Sequence, residues 1–301
     1  MQTVIEPLRR HLETPTDAAG LAAFRVMFGS LMLFATIRFW SKGWIGEIYL
    51  EPSYHFTYQW FHWIKPLPSP LLHGLFAAKA CLCICILTGF KTRIAAFLFL
   101  LSFTYTELIE KAAYLNHYYL VSLLAGLLVI IPTDQIWSIS GRTQSSRDTP
   151  KGAYTLLRLQ ICIVYLFAGA AKLNADWLFH AQPLTTWLQG YAFLPVIGPL
   201  LSSHLVALAM SWAGMAFDLS IWAFLWYKPT RTLAFLAAVV FHVSVWLLFP
   251  IGIFPWVMLI SITIFFSPSW PRKVFDHFSS PVRFQTSGHR RSIPSSLLLI
   301  G

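Results

Sequence analysis

Lys172 stands at the end of a long apolar run, in Tyr-Leu-Phe-Ala-Gly-Ala-Ala-Lys-Leu-Asn-Ala-Asp-Trp at residues 165–177. An ammonium in such a run is costly to desolvate, so it must find a partner, reach water or lose its proton. The third outcome makes it a base. Its helical neighbours three and four residues back are Gly169 and Ala168, with Tyr165 one turn further. Small residues let another helix or a flat ligand approach closely, and a dry pocket of that kind favours the neutral amine that a general base needs. The same residues also permit a structural reading, an ion pair with Asp176 one turn onward or with a neighbouring carboxylate.

Two histidines could share the work. His117 opens an apolar segment in Tyr-Leu-Asn-His-Tyr-Tyr-Leu, next to Tyr119. A neutral imidazole there can bond a phenolic oxygen or orient a base, or simply face water. His242, in Val-Val-Phe-His-Val-Ser, lies deeper and needs a partner. Arg25, Arg158 and Asp218 are ionisable residues inside apolar segments and are expected to pair with one another. Glu107 and Lys111, one turn apart, are expected to pair on their own helix. No HxxxH, HExxH or ExxH arrangement supports a metal, so none is expected. No glycine-rich phosphate loop or Gly-x-Ser-x-Gly elbow occurs either. The four cysteines all lie in apolar runs, and Cys81, Cys83 and Cys85 fan around a helix, so they read as small core or lipid-facing residues.

The elements that must position these groups are membrane helices. The 301-residue chain is 56% hydrophobic and only 11% charged, against about 25% charged in a soluble domain. The reading is an all-α, polytopic bundle of about eight spans: 18–40, 70–89, 93–110, 117–131, 153–173, 203–227, 231–250 and 253–267. With a cytoplasmic N-terminus, fourteen Lys and Arg residues fall inside and only Lys42, Lys65 and Lys111 outside. That asymmetry supports the count and places both termini in the cytoplasm. Lys172, Asp176, Trp177, His117 and the aromatic loop 41–69 then share the outer side. The net charge of +10 follows from topology rather than from nucleic-acid binding. No cleavable signal peptide is evident, and the first span is expected to insert uncleaved.

With these residues in view, the chain resembles a known family. Ala-Phe-Arg-Val-Met-Phe-Gly (23–29), Asn-His-Tyr-Tyr-Leu (116–120) and the 164–177 segment look like the integral-membrane part of vitamin K-dependent γ-glutamyl carboxylase, the HTTM (horizontally transferred transmembrane) domain. Phe-Asp-Leu-Ser (217–220), Phe241-His242, the stretch Ile251–Leu259 and Ser267–Lys273 also fit. The domain is expected over 1–275, followed by a polar, mobile tail over 276–301.

The resemblance implies a bacterial-type inner-membrane enzyme in which Lys172 deprotonates vitamin K hydroquinone or a related isoprenoid quinol. Oxygen then converts the quinol to its epoxide, and carbon dioxide can be added to a glutamyl peptide or protein. His117 would serve the glutamate or carbanion side, with Tyr119, Gly169, Asp176, Trp177 and His242 shaping the cofactor pocket. Partners would be membrane lipid, the quinol and that glutamyl substrate. The family pattern has two consecutive lysines, whereas here Ala171 precedes Lys172. Family carboxylases also continue well beyond residue 301, which places carboxylation behind epoxidation as the expected activity. The alternative from a different class is a non-catalytic lipid- or quinone-binding membrane factor that assists an exported peptide.

Overall fold

The computed structural model describes residues 2–143 and 147–279. It is mostly helical: α1 (Gln2–Glu13), α2 (Ala19–Ser41), α3 (Ser69–Thr88), α4 (Thr92–Ile109), α5 (Asn116–Ile130) and α6 (Lys151–Ala170) lead into the second half. There α7 (Ala175–Leu178), α8 (Leu184–Gln189) and α9 (Gly198–Leu201) are short, α10 (His204–Trp226) and α11 (Arg231–Leu248) are long, and α12 (Phe254–Ile262) precedes α13 (Trp270–Ser279). Among the described residues six helices, α2, α3, α4, α6, α10 and α11, are long and apolar enough to cross a membrane, while α5 and Phe254–Phe265 are apolar but shorter. Each of the eight apolar segments expected from sequence is therefore helical. Large apolar side chains such as Phe167, Leu233 and Val240 face outward, as lipid contact allows and water would penalise.

The helix ends follow local chemistry. Pro70 and Pro255 sit in the first turns of α3 and α12, where a missing N–H is harmless. Gly89 ends α3 in a left-handed turn at φ +72°. A side chain there would run into the Arg25 guanidinium and Ser138. Arg25 is fully buried and donates to the carbonyls of Ile86, Leu87, Thr133 and Trp137. It thereby satisfies the carbonyl end of α3 and ties down the segment after α5.

The connecting segments gather into two groups. In the first, β1 (Pro15–Asp17) pairs antiparallel with β2 (Asp148–Pro150), and Asp17 accepts from Arg272 at 2.8 Å. Gly20 N donates to Pro268 O, and Ile139 N to Thr88 O. In the second group Lys111 N donates to Phe56 O, Tyr105 Oη to Lys65 O, and Tyr191 Oη to Leu248 O. The core between them is built on α2, α4, α5, α6 and α12 through residues such as Phe28, Phe99, Leu124, Tyr165 and Met258.

Candidate functional site

α6 stops at Ala170, so Lys172 lies just beyond its end and not inside it. Its side chain turns back along the helix. Nζ donates to Ala168 O at 3.0 Å and to Asp218 Oδ2 at 2.6 Å, and it lies 5.1 Å from the centre of the Trp177 ring. Asp218 is the fifteenth residue of α10, about 20 Å along it at 1.5 Å per residue. The N-terminal third of α10 carries α7–α9 as a cap, with Ala181, Leu184, Leu188 and Ala207 packed together. Asn174 starts that cap by accepting from Trp177 N, and Trp177 Nε1 donates to Ser211 O at 2.7 Å. Lys172 thus sits beneath the cap, close to the bundle interior.

Two turns before Lys172, on the same face of α6, the buried Tyr165 hydroxyl shares a 2.9 Å hydrogen bond with His242 Nε2. The Tyr165 ring meets Phe217, the residue before Asp218, at 6.0 Å. Phe254 lies between the two histidine rings, 5.7 Å from His242 and 5.9 Å from His117. His242 Nδ1 and His117 Nε2 are both buried and have no partner among the described residues. A line of aromatic and titratable groups therefore runs from the Lys172–Asp218 pair past Tyr165, His242 and Phe254 to His117.

At the far end of this line is a cavity of about 1200 Å³. Its walls come from α2, the short π-helix Gly46–Leu50, the end of α4, the start of α5, the end of α11 and α12, and they are mainly apolar: Met27, Leu31, Phe34, Trp246, Phe249, Ile253 and Trp256. Thr106, Glu107, Glu110 and Tyr118 add polar groups along the α4–α5 side, and Arg38 lies on the α2 wall. Gly252 also lines the cavity, and a side chain there would point at His117 Nε2 from 3.7 Å.

A model of the HTTM domain matches residues 13–270. The chain belongs to the HTTM domain family. No solved structure matches it.

The HTTM match spans every candidate residue, but the fold distributes them unevenly. Lys172, Trp177, Tyr165 and His242 are gathered around α6, α10 and α11. His117 joins them only through Phe254. Tyr119 is 60% exposed on the outside of α5, and Asp176 is exposed beside Trp177. Gly169 serves helix packing, because a Cβ there would meet Leu219 Cδ2 at 2.6 Å. The expected mutual pairing of Arg25, Arg158 and Asp218 does not form. Arg158 donates to Ile264 O and Phe266 O instead, and Arg25 to the carbonyls described above. Backbone carbonyls at helix ends and in the segment after α5 satisfy these guanidinium groups in place of Asp218. Glu107 and Lys111 do not pair either, since α4 ends between them and Lys111 Nζ lies over the Tyr58 ring at 5.9 Å.

Four residues fall outside the sequence expectations: Asp218 as Lys172's partner, Arg38 and Glu110 in the cavity, and Lys79. Lys79 is buried at 3% exposure on α3, with Nζ donating to Thr106 Oγ1 at 3.2 Å and lying 3.6 Å from the Phe76 ring centre. An unexplained lysine within an apolar span was the available signal. Outside the spans, burial and the nearby Glu107 and Tyr114 charges push the Tyr58 hydroxyl pKa up, so that ring stays protonated beside Lys111. Among the described residues no group of three His, Cys, Asp or Glu side chains is placed to hold a metal.

Proposed function

We propose that this HTTM protein is a multi-pass membrane enzyme that converts a lipid quinol to its epoxide, with carboxylation of a glutamyl peptide or protein as a coupled activity. The substrate would be vitamin K hydroquinone or a related isoprenoid quinol, with oxygen and carbon dioxide as co-substrates. The cavity carries this reading. A volume of about 1200 Å³ exceeds the usual ~300–1000 Å³ of small-molecule sites and leaves room for a ring and part of an isoprenoid tail. Its apolar walls suit the tail, and Thr106, Glu107 and Tyr118 offer hydrogen-bonding groups to a hydroxylated ring. A bound quinol supplies the electrons for oxygen and, through that reaction, the basicity needed to remove a γ-proton from glutamate.

The chain's own residues would manage protons. Asp218 Oδ2, 2.6 Å from Lys172 Nζ, would orient the amine and neutralise the ammonium formed when it accepts the quinol proton. His117, with Nε2 unengaged, would serve as the acid/base group on the carbanion side. His242 and Tyr165 hold the interior between them, while Trp177 and Asp176 sit where the cap meets the end of α6. The dry bundle suppresses stray protonation. In the membrane we place eight crossings with both termini in the cytoplasm and the cap toward the extracytoplasmic side of the inner membrane. Support comes from the two groups of connecting segments and the lopsided distribution of Lys and Arg.

One observation favours the second reading, a non-catalytic quinone- or lipid-binding factor: Lys172 is engaged by Asp218 and does not line the cavity. The two readings separate on turnover. With carbon dioxide and a glutamyl peptide added, His117→Ala should lower carboxylation at least ~10-fold, and purified protein given reduced vitamin K and oxygen alone should form epoxide. The pair Lys172→Met with Asp218→Asn, which removes both charges together, should abolish it. Folded wild-type protein that forms no epoxide would overturn the catalytic reading for this quinone.

A further inference from the structure

We infer that Glu107, backed by Lys79, forms a head-group subsite in the cavity that selects the reduced, dihydroxy form of an aromatic amphiphile over its dicarbonyl form. The inference rests on the quinol reading and assigns the residues that would tell quinol from quinone. Neither residue belongs to the proton-handling line from Lys172 to His117.

Glu107 lies in the last turn of α4, is half-buried and lines the cavity. Among the described residues its carboxylate takes part in no ion pair and no hydrogen bond. The neighbouring acid differs. Glu110 accepts from Phe56 N at 3.3 Å and Ala112 N at 2.8 Å, so it is spent on holding the chain after α4. Glu107 is left as the carboxylate that faces the cavity without protein donors. Behind it, Lys79 reaches from α3 to Thr106 Oγ1 at 3.2 Å, next to Glu107 in the chain. Among the described residues no carboxylate lies within ion-pair distance of Lys79. A lone acid and a lone buried lysine on facing helices act as mutual countercharges, an arrangement that marks function in an apolar span.

A carboxylate only accepts hydrogen bonds. A hydroquinone hydroxyl donates to it, and the bond is charge-assisted. A quinone carbonyl has no proton to give and meets the carboxylate lone pairs with its own. An anionic phosphate brings no proton to Glu107 either, so a phospholipid headgroup would seat at Arg38 on the α2 wall and not at this subsite. Tyr49 and Tyr118, both within electrostatic reach of Glu107, also line the cavity, and their rings are surfaces against which a flat ring can lie.

Protein in lipid nanodiscs, kept anaerobic, would be titrated with 2-methyl-1,4-naphthoquinol, with the corresponding quinone and with the quinol dimethyl ether, which keeps the ring and loses both donors. Wild type should bind the quinol about tenfold more tightly than either other ligand, equivalent to about 1.4 kcal/mol. Glu107→Gln should bring all three affinities to within about twofold, and Lys79→Met should weaken quinol binding while leaving the quinone unchanged. Equal binding of quinol, quinone and ether to wild type overturns the inference yet leaves the cavity as a quinone site, and it needs no variant to fold. Failure of all three ligands to bind overturns the quinol reading as well. Epoxide formation is not the readout, so a catalytically silent protein still decides the question.

Discussion

Lys172 and Asp218 show how one residue pair can be read twice. An ammonium and a carboxylate 2.6 Å apart, with side-chain exposures of 20% and 6%, stabilise each other, and each is costly if left alone. Asp218→Ala should therefore lower stability by ~3 kcal/mol or more by leaving a stranded ammonium. Lys172→Met with Asp218→Leu, which replaces charge by apolar volume, should recover most of that loss. Thermal unfolding in detergent of the two singles and the double reads the coupling directly. Additive losses would mean that the pair is not energetically linked and that Lys172 is held by Ala168 O and Trp177 alone. A strong coupling gives Asp218 a defined role in either functional reading, because it fixes where the Lys172 side chain points.

At the scale of elements, the eight apolar segments were legible because hydrophobic runs of helical length dominate the chain, and the observed ends fall within a few residues of expectation. The partners of the charged residues were not legible. Arg25 was expected to find Asp218, but the nearest acceptors are the free carbonyls that every helix end exposes, and no sequence pattern announces which helix end lies alongside. The cap of α7–α9 was missed for a similar reason. Its helices have four to six residues, too short for a periodic signal. Lys172 and His117 were legible as candidates from residue type and apolar context, whereas the cavity needs six separate segments to meet.

Arg25 carries the element-scale prediction. Arg25→Met strands the carbonyls of Ile86, Leu87, Thr133 and Trp137 and should destabilise the bundle by ~3–5 kcal/mol. Arg25→Lys, a point donor without the fork, should restore only part of that. Melting temperature in detergent is the measurement, and an Arg25→Met protein as stable as wild type would show that water satisfies those carbonyls instead.

For the whole molecule, the decisive question is whether α5 and α12 cross the bilayer. Fifteen residues of α5 extend about 22 Å, short of the ~30 Å hydrocarbon core. Yet α5 begins beside the Glu110–Phe56 contact and ends beside the Thr133 carbonyl held by Arg25, so it joins the two groups of connecting segments. α12 does the same, from Phe254 between the two histidines to the Ile264 carbonyl held by Arg158. A short helix that joins both sides can span if neighbouring helices shield its ends or the bilayer thins around it. With all four native cysteines replaced by alanine, single cysteines at Lys65, Lys111 and Pro250 should react with an impermeant maleimide applied from the extracytoplasmic side. Cysteines at Ile139, Lys228 and Ser267 should react only after the membrane is opened. Labelling of Ile139→Cys from the same side as Lys111→Cys would mean that α5 does not cross. The inside-outside alternation would then invert from α6 onward, Lys228 would move outside, and the cap over Lys172 would face the cytoplasm, so this one comparison fixes the side from which a glutamyl substrate must arrive.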